Sequence, residues 1–179
     1  AVIPFLTNLK EAAKEIGAVN CIKFSGSEII GYNTDVIGFE QSLLSLLNQV
    51  HTHALVLGTG GASKAVQYVL NKKGIENIVV SRRKSDAGNS IIYEDLTESV
   101  MSEYKLIINC TPVGMTPDED NMPTIPYQFL TPKHLLYDLI YKPEKTNFLQ
   151  EGEKRGAAIK NGFEMLLIQA EENWKIWNS

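Results

Sequence analysis

The sequence predicts an α/β protein with a doubly wound parallel sheet. Three observations support this prediction: short apolar runs alternate with amphipathic stretches from residue 54 onward, a glycine-rich turn follows the first run, and a helical pattern follows that turn. Short and almost continuous apolar runs are typical of parallel strands that are buried on both faces. Strands that alternate with helices are typical of a parallel sheet covered by helices.

The apolar positions place the individual elements. In the sheet region, strands are expected at 54–57, 78–80, 90–93, 106–108 and 135–140, with helices at 64–73 and 163–177. The N-terminal part differs, because a helix over 6–16 precedes two strand candidates at 18–24 and 29–32, which Ser25-Gly26-Ser27 joins into a hairpin. Asp35 then opens a helix whose apolar face is expected to contain Val36, Phe39, Leu43, Leu44 and Leu47.

Composition and charge narrow the class of protein. The chain has 179 residues, of which 44% are hydrophobic and 21% are charged, as in soluble globular proteins. Its formal net charge of -4 does not suit a nucleic-acid partner, because proteins that bind nucleic acid usually carry a basic excess. No apolar stretch approaches the ~20 residues of a transmembrane helix, so no membrane association is expected.

Cysteine and histidine usage indicates a cytoplasmic protein without a metal site. Cys21 and Cys110 each lie beside apolar residues and do not form a CxxC pair, which is typical of buried, reduced thiols. His51, His53 and His134 show neither HExxH nor Cys/His zinc spacing.

The glycine-rich turn is the first motif with a chemical function. Directly after a predicted strand and before a predicted helix, the chain reads Gly58-Thr59-Gly60-Gly61-Ala62-Ser63. Glycines allow a tight turn and a close approach of backbone N–H groups to a pyrophosphate at the start of a helix. The motif predicts a Rossmann-type dinucleotide site, whereas a plain tight turn in a non-binding domain is the alternative.

The end of the second strand favours NADP over NAD. An NAD site usually has an acidic residue there, which binds the ribose 2′-hydroxyl. This chain has Ser81, Arg82 and Arg83 instead, and no carboxylate follows before Asp86. Guanidinium groups bind phosphate through charge-assisted hydrogen bonds, so the pattern predicts recognition of a 2′-phosphate. A solvated basic loop is the alternative.

Asp35 allows two interpretations. An aspartate at the start of a helix is a favourable N-cap, and one that faces a cleft can also act in acid–base chemistry. Composition and spacing do not decide between them.

Taken together and in order, six segments resemble the shikimate dehydrogenase family. They are Gly17-Ala18-Val19-Asn20, Gly31-Tyr32-Asn33-Thr34-Asp35, the glycine turn, Asn109-Cys110-Thr111-Pro112-Val113-Gly114-Met115, Tyr137-Asp138-Leu139-Ile140-Tyr141, and Gly162-Phe163-Glu164-Met165-Leu166 with Gln169. The resemblance covers essentially the whole chain. It implies NADPH-dependent reduction of 3-dehydroshikimate to shikimate on a Rossmann-type domain joined to a substrate domain.

The resemblance also implies a role for each matching residue. Asn20, Asp35, Tyr141 and Gln169 would lie at the substrate, with Asp35 paired to a catalytic lysine. The remaining matches would bind NADP: the pyrophosphate at Gly58, Thr59, Gly60, Gly61 and Ala62, the adenosine ribose phosphate at Ser81, Arg82 and Arg83, and the nicotinamide side at Asn109, Thr111, Leu139 and Gly162.

The chain departs from the family in one large respect. The family's substrate-binding serines and its NVTxPxK segment have no match, and the opening Ala1-Val2-Ile3-Pro4 resembles the stretch that comes directly after the family's lysine. The chain is therefore expected to be N-terminally truncated and inactive alone, because Lys10 and Lys14 come after that point. Two smaller departures are Ser81 in place of an asparagine and Leu139 where methionine is common.

The expected division is a remnant of an N-terminal α/β substrate domain at 1–34, an NADP-binding Rossmann domain at 35–161, and a C-terminal helix at 162–179 that returns to the substrate domain. Because the remnant belongs to a sheet whose other strands are missing, its unpaired edge is expected to associate as a homodimer or to leave residues 1–34 disordered. Three other functions stay open: a quinate/shikimate dehydrogenase that uses NAD, a non-catalytic NADP-binding module, and another two-domain dehydrogenase acting on amino acids or folates.

Overall fold

The larger part of the protein is a six-stranded parallel sheet. The computed structural model describes residues 2–83 and 89–179. The six strands of this sheet are β4 (His53–Leu57), β5 (Glu76–Ser81), β6 (Ser90–Ile92), β7 (Leu106–Asn109), β8 (Leu135–Asp138) and β9 (Ala158–Lys160). Their order is β6-β5-β4-β7-β8-β9, and every neighbouring pair is parallel.

This order places a topological switch point between β4 and β7. The chain moves from β4 outward through β5 and β6, and then returns to the other side of β4 as β7. Ligands of open α/β sheets bind outside the carboxyl ends of the strands at such a point. The predicted doubly wound sheet of the Rossmann type is confirmed.

Helices cover both faces of this sheet. They are α2 (Asp35–Leu44), α3 (Gly61–Lys72), α4 (Glu98–Glu103), α5 (Asn147–Lys154) and α6 (Phe163–Asn178). One apolar cluster contains Phe39 and Leu70, and a second on the opposite side contains Met101 and Phe148. Consecutive residues of β4 are buried in alternate clusters, which explains why its apolar run is continuous.

The N-terminal part forms a separate three-stranded sheet. Its strands are β1 (Asn8–Leu9), β2 (Cys21–Ser25) and β3 (Glu28–Tyr32), in the order β1-β3-β2, and the helix α1 (Glu11–Ile16) lies between β1 and β2 in the chain. The expected hairpin is confirmed, because β2 and β3 are antiparallel.

The expected helix over 6–16 is wrong in its first half. Asn8 and Leu9 pair with β3 as a parallel strand, and the Thr7 side chain exchanges hydrogen bonds with backbone groups of Ile29 at 2.8 and 3.1 Å. These contacts with a distant strand prevail over the local helical pattern, so α1 begins only at Glu11.

Helix α6 connects the two parts. It packs closely on α2, because a Cβ at Gly38 would lie 2.7 Å from the backbone oxygen of Met165. At its far end, the Trp177 indole donates to the backbone oxygen of Ile22 in β2 at 3.0 Å. These contacts agree with a helix that returns to the N-terminal three-stranded sheet. The domain boundaries at residues 34 and 161 remain a prediction.

Three details differ from the expected elements. The strand expected over 135–140 ends at Asp138. Leu44, expected on the buried face of α2, is exposed at the end of the helix, and Leu47, expected on the same face, lies beyond the helix although it still packs against the core. The sequence patterns did not indicate α4, α5 or β9. In the described ranges 2–83 and 89–179, no helix is long and apolar enough to span a membrane.

Candidate dinucleotide and substrate site

The glycine turn lies at the carboxyl end of β4 and leads into α3. Gly58 has φ +103°, and a Cβ there would lie 2.9 Å from the Thr111 side chain, so only glycine suits this position. Gly60 is the N-cap of α3, and no side chain caps that helix. A Cβ on Gly60 would meet nothing within 4 Å. The turn therefore leaves the first N–H groups of α3 open to an anion, as pyrophosphate binding requires.

The end of β5 presents cations. Arg82 and Arg83 are exposed, and Ser81 donates through Oγ to the Arg83 backbone oxygen at 2.5 Å. That hydrogen bond holds the turn in which both arginines lie. Lys84 and Asp86, which also belong to this sequence pattern, lie outside the described residues.

A cleft of about 540 Å³ lies beside the glycine turn. Two loops form its walls, and four of the expected site residues are among its lining: Ala62, Thr111, Leu139 and Tyr141. Tyr141 is 48% exposed, so its ring is available to a bound molecule.

Asn109 is fully buried at the end of β7. Its Nδ2 donates to Asp138 Oδ1 at 3.0 Å, and its Oδ1 accepts from the Thr111 N–H at 3.0 Å and hydroxyl at 2.6 Å. Its amide is thus engaged within the protein and shapes the loop that carries Thr111. The expected contact of Asn109 with the nicotinamide side of the cofactor remains a prediction.

Gly162 begins α6 directly against the end of β8. A Cβ at this position would overlap the backbone oxygen and carbon of Leu139. The Gly162 N–H donates to the Ile140 backbone oxygen at 3.1 Å. The close approach fixes the start of α6 at the edge of the cleft.

A polar network joins the N-terminal hairpin, α2 and α6. Asn20 donates to Asp35 Oδ1 at 2.8 Å and accepts from the Thr34 N–H at 2.8 Å. The Thr34 hydroxyl donates to Asn173 Oδ1 at 2.7 Å, and Asn173 donates to Gln169 Oε1 at 3.1 Å. The structure thus brings together Asn20, Asp35 and Gln169, which are separated by up to 149 residues of sequence.

Asp35 does not cap α2 in the way that the first interpretation required. Thr34 occupies the N-cap position, Asp35 is the first helical residue, and no side chain makes a capping hydrogen bond. Burial raises the pKa of the Asp35 carboxyl, and the hydrogen bond from Asn20 opposes that rise. The net shift favours the neutral form of the carboxyl relative to an exposed aspartate.

The network and the glycine turn are neighbours. A Cβ built on Gly61 would lie 3.9 Å from the Cβ of Ala18, two residues before Asn20. The segment that carries Asn20 therefore lies against the N-terminus of α3.

Sequence reasoning missed three residues of this region. Thr34 and Asn173 complete the polar network, and Asp138 is a fully buried carboxylate behind the cleft. The sequence held one signal for each of the last two: Asn173 lies one helical turn after Gln169, and Asp138 interrupts an apolar strand.

Curated relatives match nearly the whole chain, and two of them show the extent of the similarity. The chain is 36% identical to the shikimate dehydrogenase (NADP(+)) of Desulforamulus reducens, over 98% of this chain and 67% of that protein. It is 40% identical to the enzyme of the same name from Aquifex aeolicus, over 99% of this chain and 66% of that protein. The chain thus spans about two thirds of the length of these relatives. A scan of the chain against family models gives no match.

Solved structures give the same fold. Shikimate dehydrogenase from Aquifex aeolicus aligns with a TM-score of 0.86 at 38% identity, covering 99% of this chain and 67% of that one. Shikimate 5-dehydrogenase from Thermus thermophilus, in complex with NADP(H) and shikimate, aligns with a TM-score of 0.85 at 29% identity, covering 98% and 68%. A quinate dehydrogenase from Corynebacterium glutamicum in complex with NAD aligns with a TM-score of 0.83 at 25% identity, covering 98% and 67%.

Identity above 30% over two thirds of a relative's length, together with the shared fold and the glycine turn at its switch point, establishes the family. This chain belongs to the NADP-dependent shikimate dehydrogenases.

Proposed function

We propose that this chain binds NADPH and contributes the cofactor half and part of the substrate site for the reversible reduction of 3-dehydroshikimate to shikimate. The observation that carries the proposal is the meeting of the Asn20–Asp35–Gln169 network with the uncapped start of α3. A dinucleotide site next to a cluster of amide and carboxyl groups suits an enzyme that transfers hydride to a polyhydroxylated acid.

The residues fit the cofactor. The N–H groups at the start of α3 suit a pyrophosphate, and the absence of a Cβ at Gly60 and Gly61 leaves room for its approach. Arg82 and Arg83 supply the positive charge that a 2′-phosphate needs. When bound, NADPH supplies the hydride, while the protein orients substrate and handles protons.

On the substrate side, Asn20, Asp35, Gln169 and Tyr141 would bind the hydroxyl and carboxylate groups. Asp35 would orient a catalytic lysine, which the resemblance places before residue 1. General acid–base help is typically worth about 10²–10⁴ in rate. We therefore expect the 179-residue chain to bind NADPH without measurable turnover.

Calorimetric titration with NADPH and then NADH tests the cofactor assignment. NADPH is expected to bind at least about tenfold tighter, a difference of ~1.4 kcal/mol. The double variant Arg82→Ala/Arg83→Ala should remove that preference, whereas Lys133→Ala, a change at an exposed cation elsewhere, should leave it unchanged.

Other outcomes would change the assignment. Equal or tighter binding of NADH would favour the NAD-dependent quinate/shikimate alternative. Steady reduction of 3-dehydroshikimate at the rate of a longer homologue would contradict the expected inactivity.

The proposal extends to partners and location. The expected ligands are shikimate or 3-dehydroshikimate and NADP, with a homodimer as the expected assembly. A cytoplasmic location fits Cys21 and Cys110, which are both free thiols. Sedimentation at several concentrations would test the dimer.

A further inference from the structure

Asp138 is a buried carboxylate that the proposed function does not use. It ends β8 at the carboxyl edge of the sheet and has no exposed surface. Three donors converge on it: the Asn109 amide at 3.0 Å, the Ile140 N–H at 3.1 Å and the Thr146 hydroxyl at 2.6 Å. A buried charge is rarely retained unless its hydrogen bonds are satisfied, and here they reach into two different loops.

Through Asn109, the carboxylate holds the first wall of the cleft. Asn109 donates to Asp138 with its Nδ2, so its Oδ1 must face the other way, toward Thr111. The Thr111 hydroxyl in turn accepts from the Val113 N–H at 3.3 Å. The Asp138 carboxylate therefore fixes the orientation of the Asn109 amide, and that amide in turn holds the loop after β7 through Thr111.

Through its two other donors, the carboxylate holds the second wall. The Ile140 N–H bends the chain back on Asp138 directly after the strand. The Thr146 hydroxyl brings the start of α5 to the same carboxylate, and Thr146 is also the N-cap of α5. Residues 139–145, which include the exposed Tyr141, are thus held at both ends by one side chain.

The two walls enclose the cleft beside Ala62. Its lining comes from 110–116 on one side and from 139–142 on the other. We propose that Asp138 is a positioning residue that clamps both walls, and that binding of the nicotinamide end of NADPH depends on it while binding of the adenosine end does not. This inference rests on the proposed function, because it presumes that the cleft receives the nicotinamide.

The chemistry of the clamp requires a carboxylate. An ionised carboxylate accepts only, whereas an amide presents two donor hydrogens on one side. In Asp138→Asn, three donors would meet one acceptor oxygen and one NH2 group, so at least one pair would face donor to donor. The substitution retains the shape of the side chain and removes the pattern of acceptors.

The test compares two ligands that differ only at the relevant end. NADPH and 2′-phospho-ADP-ribose share the adenosine, phosphates and second ribose, but the latter lacks the nicotinamide ring. Titration of the 179-residue chain and of Asp138→Asn with each gives four dissociation constants. We expect the substitution to lower the affinity for NADPH by about tenfold and to leave that for 2′-phospho-ADP-ribose within about twofold, because the hydrogen bonds described for Asp138 come from Asn109, Ile140 and Thr146 and not from the glycine turn.

Matched variants separate a clamp from general damage. Thr146→Val removes one donor and should lower the affinity for NADPH alone, whereas Thr146→Ser keeps the hydroxyl and should restore it. Ser42→Ala removes an equally buried hydrogen bond, to the Tyr137 hydroxyl at 2.6 Å, and should change neither affinity.

The outcomes distinguish a failure of the Asp138 clamp from a failure of the proposed NADPH site. Equal weakening of both ligands by Asp138→Asn would overturn the clamp, and so would equal affinities of the unsubstituted chain for both ligands. Failure of the unsubstituted chain to bind either ligand would instead overturn the proposed NADPH site, and the clamp with it.

Discussion

Asp138→Asn should change the pH dependence of stability in a defined direction. Burial raises the pKa of Asp138 from its usual 3.8 to about 6, although hydrogen bonds from Thr146, Ile140 and Asn109 oppose the rise. The folded state therefore binds this proton more tightly than the unfolded state does. The corresponding stability is fully present below pH 3.8 and is lost as the pH rises through about 6.

The magnitude follows from the difference between the two pKa values. At ~1.4 kcal/mol per unit, ionisation of Asp138 costs about 3 kcal/mol of folding free energy at neutral pH. About half of this loss, ~1.4 kcal/mol, falls between pH 5 and 7.5. Solvent screening does not reduce the effect, because the side chain is wholly buried. Asparagine is neutral throughout, so the variant should gain stability relative to the unsubstituted chain by that amount as the pH rises.

Urea unfolding of both proteins at pH 5 and pH 7.5 measures this change. Asp35, whose pKa burial raises, and His51 and His134, whose pKa values burial lowers, are present in both chains. Their contributions cancel in the difference between the two proteins. The quantity compared is the free energy of unfolding of Asp138→Asn minus that of the unsubstituted chain, and it should be more positive at pH 7.5 than at pH 5. A value that is the same at both pH values, or lower at pH 7.5, would contradict the raised pKa of Asp138. A stable variant with weak NADPH binding would indicate that the chain keeps a destabilising charge for its function.

Three further predictions concern packing and titration. Gly162→Ala should lower the free energy of unfolding by about 2–3 kcal/mol, because its Cβ overlaps backbone, whereas Gly60→Ala, whose Cβ meets nothing, should cost only the N-cap preference of about 1 kcal/mol or less; urea unfolding with an equal loss in both would contradict this. Asn173→Ala should cost about 1 kcal/mol, since the Thr34 hydroxyl loses the shortest of its three hydrogen bonds, without a change in NADPH affinity by calorimetry; a parallel fall in affinity would argue against the assignment of Asn173 to the substrate side. His134→Gln should reduce the loss of stability on acidification, since burial lowers the pKa of that imidazole; melting temperatures from pH 7 to 5 that fall as steeply in the variant would speak against it.

The parallel sheet could be predicted because its signals are local. The run Ala54-Leu55-Val56-Leu57 is buried from both sides, so every residue had to be apolar, and the observed strand adds only His53. The short strand at Asn8–Leu9 carries no such signal, because its pairing partners lie 22 residues further along the chain. The strand at Ala158–Lys160 forms the edge of the sheet and is only partly buried, so its sequence is not distinctive.

Only some residues of the candidate site could be predicted from the sequence. The glycine turn and the arginine pair could be interpreted from backbone and phosphate chemistry alone. Asn20 and Gln169 were expected only through the family resemblance, since nothing local distinguishes them from surface polar residues. The position of Asp35 before a helix left two interpretations open, and only the resemblance favoured the acid–base role. Thr34 gave no signal of its role in the sequence, and the weak signals of Asn173 and Asp138 gained meaning only when folding placed their partners within hydrogen-bond distance.

The network on α6 also bears on the order of events during synthesis. The Thr34 hydroxyl meets Asn173, which follows it by 139 residues. The ribosome therefore synthesises every residue of the parallel sheet, which ends at Lys160, before it adds Asn173, the partner of Thr34. Domains generally fold as units during translation, so a nascent chain could gain the dinucleotide-binding half while its substrate half is still open. Competence to bind cofactor would then precede competence to bind substrate within the lifetime of a single polypeptide.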